Sequence, residues 1–218
     1  MAVSICVIDY QKGNLASVQR GLADAGYDAF ISSDPADILR ADGLVLPGVG
    51  SFADAMTTMN ELGQSDAVKQ RVSAGTPFLG ICLGQQLIYK WGDEGCEEGQ
   101  RMEGLGLIEG HVERMPALTE DGRKLKVPHV GWNSVEFCSE NPLFEGIESG
   151  SYFYFTHSYI GVPAHQQDIA ATTMHAQEFC SAVHHNNIFT CQFHPEKSSA
   201  LGMQVLANFG HIVERSIA

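Results

Sequence analysis

The chain has 218 residues, of which 44% are hydrophobic and 18% are charged, a composition typical of a soluble globular protein. Its net charge of −13 argues against nucleic acid or an anionic membrane as the main partner, because both bind basic surfaces. It has no apolar stretch near the roughly 18 residues that span a membrane and no basic leader, so we expect a cytoplasmic protein. We also expect a single domain over residues 1–218 and, since the six cysteines form no C-x-x-C pair, free thiols.

In the first half of the chain, strand-like and helix-like segments alternate. A helix is predicted over Asn14–Ala25, because its apolar residues recur at helical spacing, Asn14 suits the N-cap and Gly26 suits the stop. Apolar strands are predicted within Ser4–Asp9, Gly43–Phe52 and Thr76–Cys82, with two helical stretches between the second and the third. Buried strands separated by helices indicate a parallel sheet with helices on both faces.

The second half of the chain is richer in Val, Phe and Tyr. In the stretch FCSAVHHNNIFTCQF (residues 179–193), two strands are predicted around an Asn-Asn turn. A final helix is predicted to begin near Ser198 or Ser199 and to carry one apolar face. The sequence therefore predicts a three-layer α/β fold with a mixed, mostly parallel sheet.

Cys82 is the first candidate for chemistry, because it lies between glycines where a buried strand is expected to end and a helix to begin. The pattern Gly80-Ile81-Cys82-Leu83-Gly84 is the cysteine counterpart of the nucleophile elbow, G-x-S-x-G. Ligands bind beyond the carboxyl ends of strands in open α/β sheets, and the potential at a helix N-terminus favours the thiolate. An intracellular cysteine is most often a buried structural residue, but this context favours a nucleophile.

A nucleophilic thiol needs a base, and the base needs a group that orients it. In CQFHPEKS (residues 191–198), His194 and Glu196 flank Pro195, and in extended backbone two such side chains point to the same side. We expect Glu196 to orient the His194 imidazole; the alternative is a surface H-x-E without a role. No metal site is predicted, since the P-C-x-x-C partner of zinc deaminases is missing and the His184–His185 pair has no spaced ligands.

Acyl transfer also requires donors for an oxyanion. The backbone N–H of Leu83 and the loop that contains Val49 and Gly50 each follow the end of a predicted parallel strand, so both are expected to face one pocket. The alternative for this loop is a plain turn.

Three motifs together, LPGVGSF, GICLGQQ and FHPEKS, resemble the class I glutamine amidotransferases, and the likeness runs over essentially the whole chain. The resemblance implies that the Cys82 thiolate attacks the side-chain amide of L-glutamine, releasing ammonia and leaving a glutamyl thioester that water hydrolyses. It makes His194 the general acid and base and Glu196 its orienting partner. No cofactor is implied.

The same resemblance implies a set of contacts for the amino acid end of glutamine. The proposed contacts are Gln86, Glu94 and the backbone of His157, Ser158 and Tyr159. A carboxylate side chain with backbone donors suits a ligand that presents one ammonium and one carboxylate.

The stretches VPHVGWNSV, DYQKGNLASV and HPEKS are similar to the glutaminase subunits of imidazole glycerol phosphate synthases, a family within this class. The likeness implies a role in histidine biosynthesis, in a heterodimer with a (β/α)₈ cyclase subunit that receives the ammonia. It places four residues at or near the interface: Asn14, Trp132, Asn133 and Lys197. Composition alone makes a core position for Trp132 equally plausible.

Many relatives have a second glycine where this chain has Val49. Because a β-branched residue resists positive φ, we hypothesise that the Val49 peptide turns to its donating orientation only in the activated complex. The alternatives left open are a γ-glutamyl hydrolase, the glutaminase subunit of another synthase, a partner module with a decayed site, and a small cysteine hydrolase of the elbow type.

Overall fold

A computed structural model describes residues 3–118, 122 and 124–218. Its strands are β1 (Ser4–Ile8), β2 (Asp28–Ser32), β3 (Gly43–Gly48), β4 (Phe78–Cys82), β5 (Trp91–Gly92), β6 (Met102–Glu103), β7 (Gly110–Arg114), β8 (His129–Phe137), β9 (Ser151–His157), β10 (Tyr159–Pro163), β11 (Ile169–His175), β12 (Gln177–His185) and β13 (Ile188–Cys191). Its α-helices are α1 (Leu15–Asp24), α2 (Pro35–Arg40), α3 (Phe52–Glu61), α4 (Gln64–Ser73), α5 (Leu83–Leu87) and α6 (Ser199–Ser216). In these residues, no helix combines the length and apolar character needed to cross a bilayer.

The main sheet has nine strands in the order β2-β1-β3-β4-β13-β12-β11-β8-β9. Neighbours from β2 to β13 run parallel, and neighbours from β13 to β9 run antiparallel. A smaller sheet, in the order β10-β7-β5-β6, packs beside it. The predicted α/β fold with a mixed sheet is confirmed.

Alternate residues of the central strands enter two different cores, because successive side chains of a strand point to opposite faces. Ile5 and Val7 of β1 belong to the core that α1 and α6 cover. Cys6 and Ile8 belong to the core on the other face, which α2, α3 and α4 cover. The result is the three-layer arrangement, with helices on both faces of the sheet.

The local predictions hold with small corrections. Asn14 occupies the N-cap position of α1, but its side chain makes no capping hydrogen bond, and Gly26 follows the helix with a φ of +95°. The Asn-Asn turn joins β12 to β13, with Asn186 at a φ of +53°. Helix α6 begins at Ser199, and its apolar face is buried except at Ile212, which is half-buried, and at Leu201, which is exposed.

The register of three adjacent parallel strands assembles one edge of the main sheet. Gly48, the last residue of β3, is paired with Cys82, the last residue of β4. On the other side of β4, Ile81 is paired with Cys191, the last residue of β13. The segments that follow these strands therefore leave the sheet side by side, at the end where α/β folds bind ligands.

Candidate active site

Cys82 has a backbone conformation that is unusual for a residue with a side chain. Its φ is +54° and its ψ is −106°, and such strained residues cluster at functional sites. The flanking glycines make this turn possible: a Cβ on Gly80 would lie 2.6 Å from the Gly84 carbonyl oxygen, and one on Gly84 would overlap the Leu46 carbonyl oxygen. The glycines therefore let α5 pack against β3 and β4 while the sulfur stands at the strand end.

His194 and Glu196 form a buried pair. The imidazole Nδ1 lies 2.9 Å from the Glu196 carboxylate oxygen Oε1, and both side chains are only 2% exposed. The expected extended backbone is wrong beyond His194: Pro195–Lys197 form a short 3₁₀ turn, and the Ser198 hydroxyl donates to the His194 carbonyl oxygen over 2.6 Å. This turn, not strand alternation, brings the carboxylate to the ring.

The imidazole of His194 responds to both neighbours. Burial lowers its pKa, but hydrogen bonding and charge interactions with Cys82 and Glu196 outweigh burial and raise the pKa to about 10. Its Nε2 is buried and has no protein partner at ordinary hydrogen-bond geometry among the described residues. With Nδ1 held by the carboxylate, Nε2 is the atom left to exchange a proton with the thiol or a substrate.

A cavity of about 250 Å³ adjoins the sulfur. It is smaller than the roughly 300–1,000 Å³ of drug-sized sites, which suits a ligand of amino acid size. Its lining contains every residue predicted for the oxyanion and for glutamine, together with Thr156, which sequence reasoning missed: Val49, Gly50, Cys82, Leu83, Gln86, Glu94, Thr156, His157, Ser158 and Tyr159. The structure thus brings these residues together; their individual roles remain predictions.

The loop after β3 lies beside the sulfur, since Gly48 is paired with Cys82. Gly50 has a φ of +102°, whereas the φ of Val49 is not positive, as expected for a residue with a branched side chain. The buried Tyr10 hydroxyl lies under this loop, where it would overlap a Cβ on Gly48. Burial raises the pKa of Tyr10, a charge on Cys82 raises it further, and backbone hydrogen bonding from Val49 lowers it. The Val49 backbone lies near the Tyr10 hydroxyl, but that hydroxyl has no partner at ordinary hydrogen-bond geometry among the described residues.

Two predicted glutamine contacts line the cavity in different ways. Gln86 is buried, and its side-chain amide donates to the Tyr159 carbonyl oxygen and to the Gln192 side-chain oxygen, each over 3.0 Å. The Glu94 carboxyl has its pKa raised to about 7, mainly by burial; a Phe52 backbone hydrogen bond lowers it and Asp93 raises it. Pairing with an ammonium group would favour the ionised form of this carboxyl.

Gln192 is the polar side chain nearest the nucleophile that sequence reasoning did not single out. Its amide nitrogen Nε2 donates to the Cys82 sulfur over 3.6 Å, and the residue is fully buried. The signal was present, because Gln192 precedes His194 by two residues at the end of a strand, where such residues share a side.

The four residues predicted at an interface occupy different environments. Trp132 is 51% exposed, so a core position is excluded. Lys197 is exposed just past the His194 turn, and Asn14 is half-buried at the start of α1. Asn133 is also half-buried, and its amide donates to the Met174 carbonyl oxygen over 3.0 Å. An interface at these residues remains a prediction.

A strained cysteine, a buried imidazole–carboxylate pair and a small polar cavity at one sheet edge define a cysteine-dependent site for acyl transfer. The family model described as "Glutamine amidotransferase class-I" matches residues 6–213. The chain is 44% identical over 212 residues to the imidazole glycerol phosphate synthase subunit HisH of Moorella thermoacetica, covering 97% of this chain and 96% of that protein. It is 46% identical to the HisH subunit of Geobacillus thermodenitrificans, covering 96% of each. The chain therefore belongs to the class I glutamine amidotransferases and, within them, to the HisH family.

Solved structures with lower identity agree on the fold alone. PurLQS from Thermotoga maritima matches with a TM-score of 0.69 at 16% identity and covers 100% of both chains. A structure described as a glutamine amidotransferase matches with a TM-score of 0.68 at 19% identity and covers 96% of this chain and 98% of its own.

Proposed function

We propose that this protein is the glutaminase subunit of imidazole glycerol phosphate synthase, which hydrolyses L-glutamine and delivers ammonia to a cyclase subunit in histidine biosynthesis. The observation that carries the proposal is the buried His194–Glu196 pair near Cys82, which lines a cavity of amino acid size. The high identity to HisH subunits over nearly the whole chain supports the choice of synthase.

In the proposed reaction, the Cys82 thiolate forms a bond to the side-chain carbonyl carbon of glutamine. The negative charge on the oxygen is held by backbone N–H groups of Leu83 and of the Val49–Gly50 loop, each such donor contributing about 2.7–4 kcal/mol. The His194 imidazolium gives a proton to the leaving nitrogen, ammonia departs, and a thioester remains. The neutral imidazole then takes a proton from water, which attacks the thioester and releases glutamate and the thiolate.

Recognition of the free amino acid end is proposed to depend on Glu94. Its carboxylate would pair with the substrate ammonium, while the backbone around Ser158 receives the α-carboxylate. Burial raises the pKa of Glu94 to about 7, because the ionised carboxylate loses contact with water. Pairing with the substrate ammonium would offset that loss and favour the ionised form.

The partner is proposed to be a (β/α)₈ cyclase that binds the face of the sheet on which Trp132 is exposed and contacts Lys197 and Asn14. A large aromatic ring that is half exposed on a strand is typical of a binding surface. Ammonia in bulk water accepts a proton and loses its nucleophilic lone pair, so release toward a partner preserves its reactivity.

We also propose that the Val49 peptide is in a resting orientation in the free subunit. Val49 has no positive φ, and its backbone lies near the buried Tyr10 hydroxyl, which could compete with an oxyanion for the N–H. The partner with its nucleotide ligand would turn the peptide, completing the set of donors and raising the rate.

The test is a Cys82→Ala variant assayed in complex with the cyclase and its nucleotide substrate. Glutamate release should fall to background, while ammonia added directly should still support formation of imidazole glycerol phosphate. Glutamate release retained by this variant would overturn the assignment of the nucleophile. Glutamate release by wild type without transfer of its nitrogen to the cyclase product would indicate a γ-glutamyl hydrolase or a different synthase.

A further inference from the structure

Two buried histidines face each other across β8 and β9. His129 is paired with His157 in the strand register, and His129 Nδ1 lies 3.0 Å from His157 Nε2. Burial, with smaller contributions from neighbouring histidines, lowers the pKa of His129 to about 4 and that of His157 to about 3, although the hydrogen bond to the Tyr159 backbone raises the latter. Both rings are therefore neutral near pH 7, and each carries one N–H.

The contacts determine where those protons are. His157 Nδ1 lies 2.9 Å from the Tyr159 carbonyl oxygen, which only accepts, so Nδ1 carries the proton and Nε2 is an acceptor. His129 Nδ1 must then donate to His157 Nε2, which leaves His129 Nε2 as an acceptor. The Asn133 amide nitrogen lies 3.2 Å from that atom and supplies the donor. The bonds thus run in one direction, from Asn133 to the Tyr159 carbonyl.

The same carbonyl oxygen connects this chain to the catalytic edge. The Gln86 amide donates to the Tyr159 carbonyl oxygen and to Gln192, and Gln192 donates to the Cys82 sulfur. Tyr159 and Gln86 both line the glutamine cavity. At the other end, Asn133 adjoins the exposed Trp132 on β8. Polar contacts therefore continue from the proposed partner surface to the nucleophile.

We propose that His129 and His157 are positioning residues that hold the Tyr159 wall of the glutamine cavity and make it respond, through Asn133, to the partner bound at the Trp132 surface. The inference rests on the proposed function. A partner that draws the Asn133 amide away from His129 removes the first donor of this chain of hydrogen bonds. The position of the Tyr159 carbonyl is then held less firmly. Coupling of this kind needs a physical element that both sites bias, and this hydrogen-bonded pair is such an element.

The test compares the glutaminase activity of three variants, each in the presence of saturating cyclase. Each is measured with and without imidazole glycerol phosphate, the cyclase product, as ligand. His129→Phe keeps the stacking against Phe155 and His175 but leaves His157 Nε2 without a donor. We expect its KM for glutamine to rise about tenfold and its activation by the ligand to fall by a similar factor. His129→Asn, whose amide nitrogen can replace Nδ1 as donor to His157, should recover the KM but not the activation.

His175→Phe is the matched control, since His175 stacks on His129 at 4.1 Å and takes no part in the chain of bonds. It should behave as wild type. If thermal unfolding shows that His129→Phe does not fold, Asn133→Ala serves instead. Because it removes the donor to His129, we expect reduced activation by the ligand and a higher KM already in the free subunit. If His129→Phe or Asn133→Ala matches the control while wild type is activated normally, the inference is wrong and the proposed function stands. A wild-type complex without glutaminase activity would overturn the proposed function itself.

Discussion

Gln192 donates a hydrogen bond to the sulfur of Cys82 over 3.6 Å; Cys82 ends β4, and Gln192 directly follows β13, the adjacent parallel strand. A donor at this distance stabilises the thiolate more than the neutral thiol.

We therefore predict that Gln192→Leu lowers the reactivity of Cys82. Removing the donor should slow alkylation of Cys82 by iodoacetamide at pH 7 and lower the glutaminase kcat by about tenfold. Gln85→Leu is the matched control, because Gln85 is equally buried but donates to the Cys180 carbonyl oxygen. Equal alkylation rates in both variants would show that the bond does not tune the thiol.

Glu196→Gln should reduce glutaminase activity and shift its pH profile. The carboxylate contributes to raising the pKa of His194 to about 10, so removing its charge should lower that pKa. The imidazolium would then be lost at a lower pH than in wild type, and kcat should fall on the order of 10²–10⁴-fold. The measurement is kcat/KM against pH; an unshifted alkaline limb would contradict the pairing. Glu140→Gln, an exposed residue on the loop after β8, is the control.

The affinity for glutamine should depend on pH through Glu94. Since its pKa is raised to about 7, the carboxyl becomes neutral as the pH falls below 7 and no longer attracts the substrate ammonium. KM should rise by up to about tenfold per pH unit in that range, with kcat less affected. Glu94→Gln should have a high KM that is independent of pH, whereas Glu97→Gln, at an exposed position nearby, should follow wild type.

Tyr10→Phe should raise the basal activity of the free subunit. Without the hydroxyl, no Tyr10 oxygen competes with an oxyanion for the Val49 N–H, so the turn of this peptide becomes less costly. We expect a several-fold gain without the cyclase and little change in the activated complex. Tyr89→Phe is the control, because Tyr89 also has a buried hydroxyl without a protein partner among the described residues but packs against Gly110 and Gly161, not against the Val49 loop. A basal rate unchanged by Tyr10→Phe would remove Tyr10 from the gating hypothesis.

Trp132→Ala should weaken binding of the cyclase without lowering the thermal stability of the subunit. The ring is half exposed, so its removal leaves no large internal cavity, and aromatic residues dominate many interfaces. We expect Kd to rise by about tenfold or more in a titration of the cyclase. Leu39→Ala, at an exposed position of α2 on another part of the surface, should leave Kd unchanged.

Local features of the fold were predictable because they depend on neighbours in the chain. The Cys82 turn required small residues at Gly80 and Gly84, and the structure shows the backbone atoms that a Cβ would strike. The Asn-Asn turn and the start of α6 were likewise predictable from residues adjacent in the sequence. The conformation after His194 was predicted as extended and is a 3₁₀ turn. The Ser198 hydroxyl donates to the His194 carbonyl oxygen and accepts from the Tyr154 N–H, and these bonds outweigh the strand tendency of the preceding residues.

The sequence by itself determined the candidate groups for the chemistry: a thiol on a turn between glycines and an imidazole two residues from a carboxylate. Only the tertiary structure decided that β13, far along the chain, lies beside β4, so that Gln192 reaches the sulfur and His194 lies close enough to interact with it. The contact between His129 and His157 likewise depends on tertiary structure, because the register of β8 and β9 places the two residues opposite each other. Spacing along a chain specifies local geometry, whereas pairing between distant strands depends on the burial of both faces of the whole sheet.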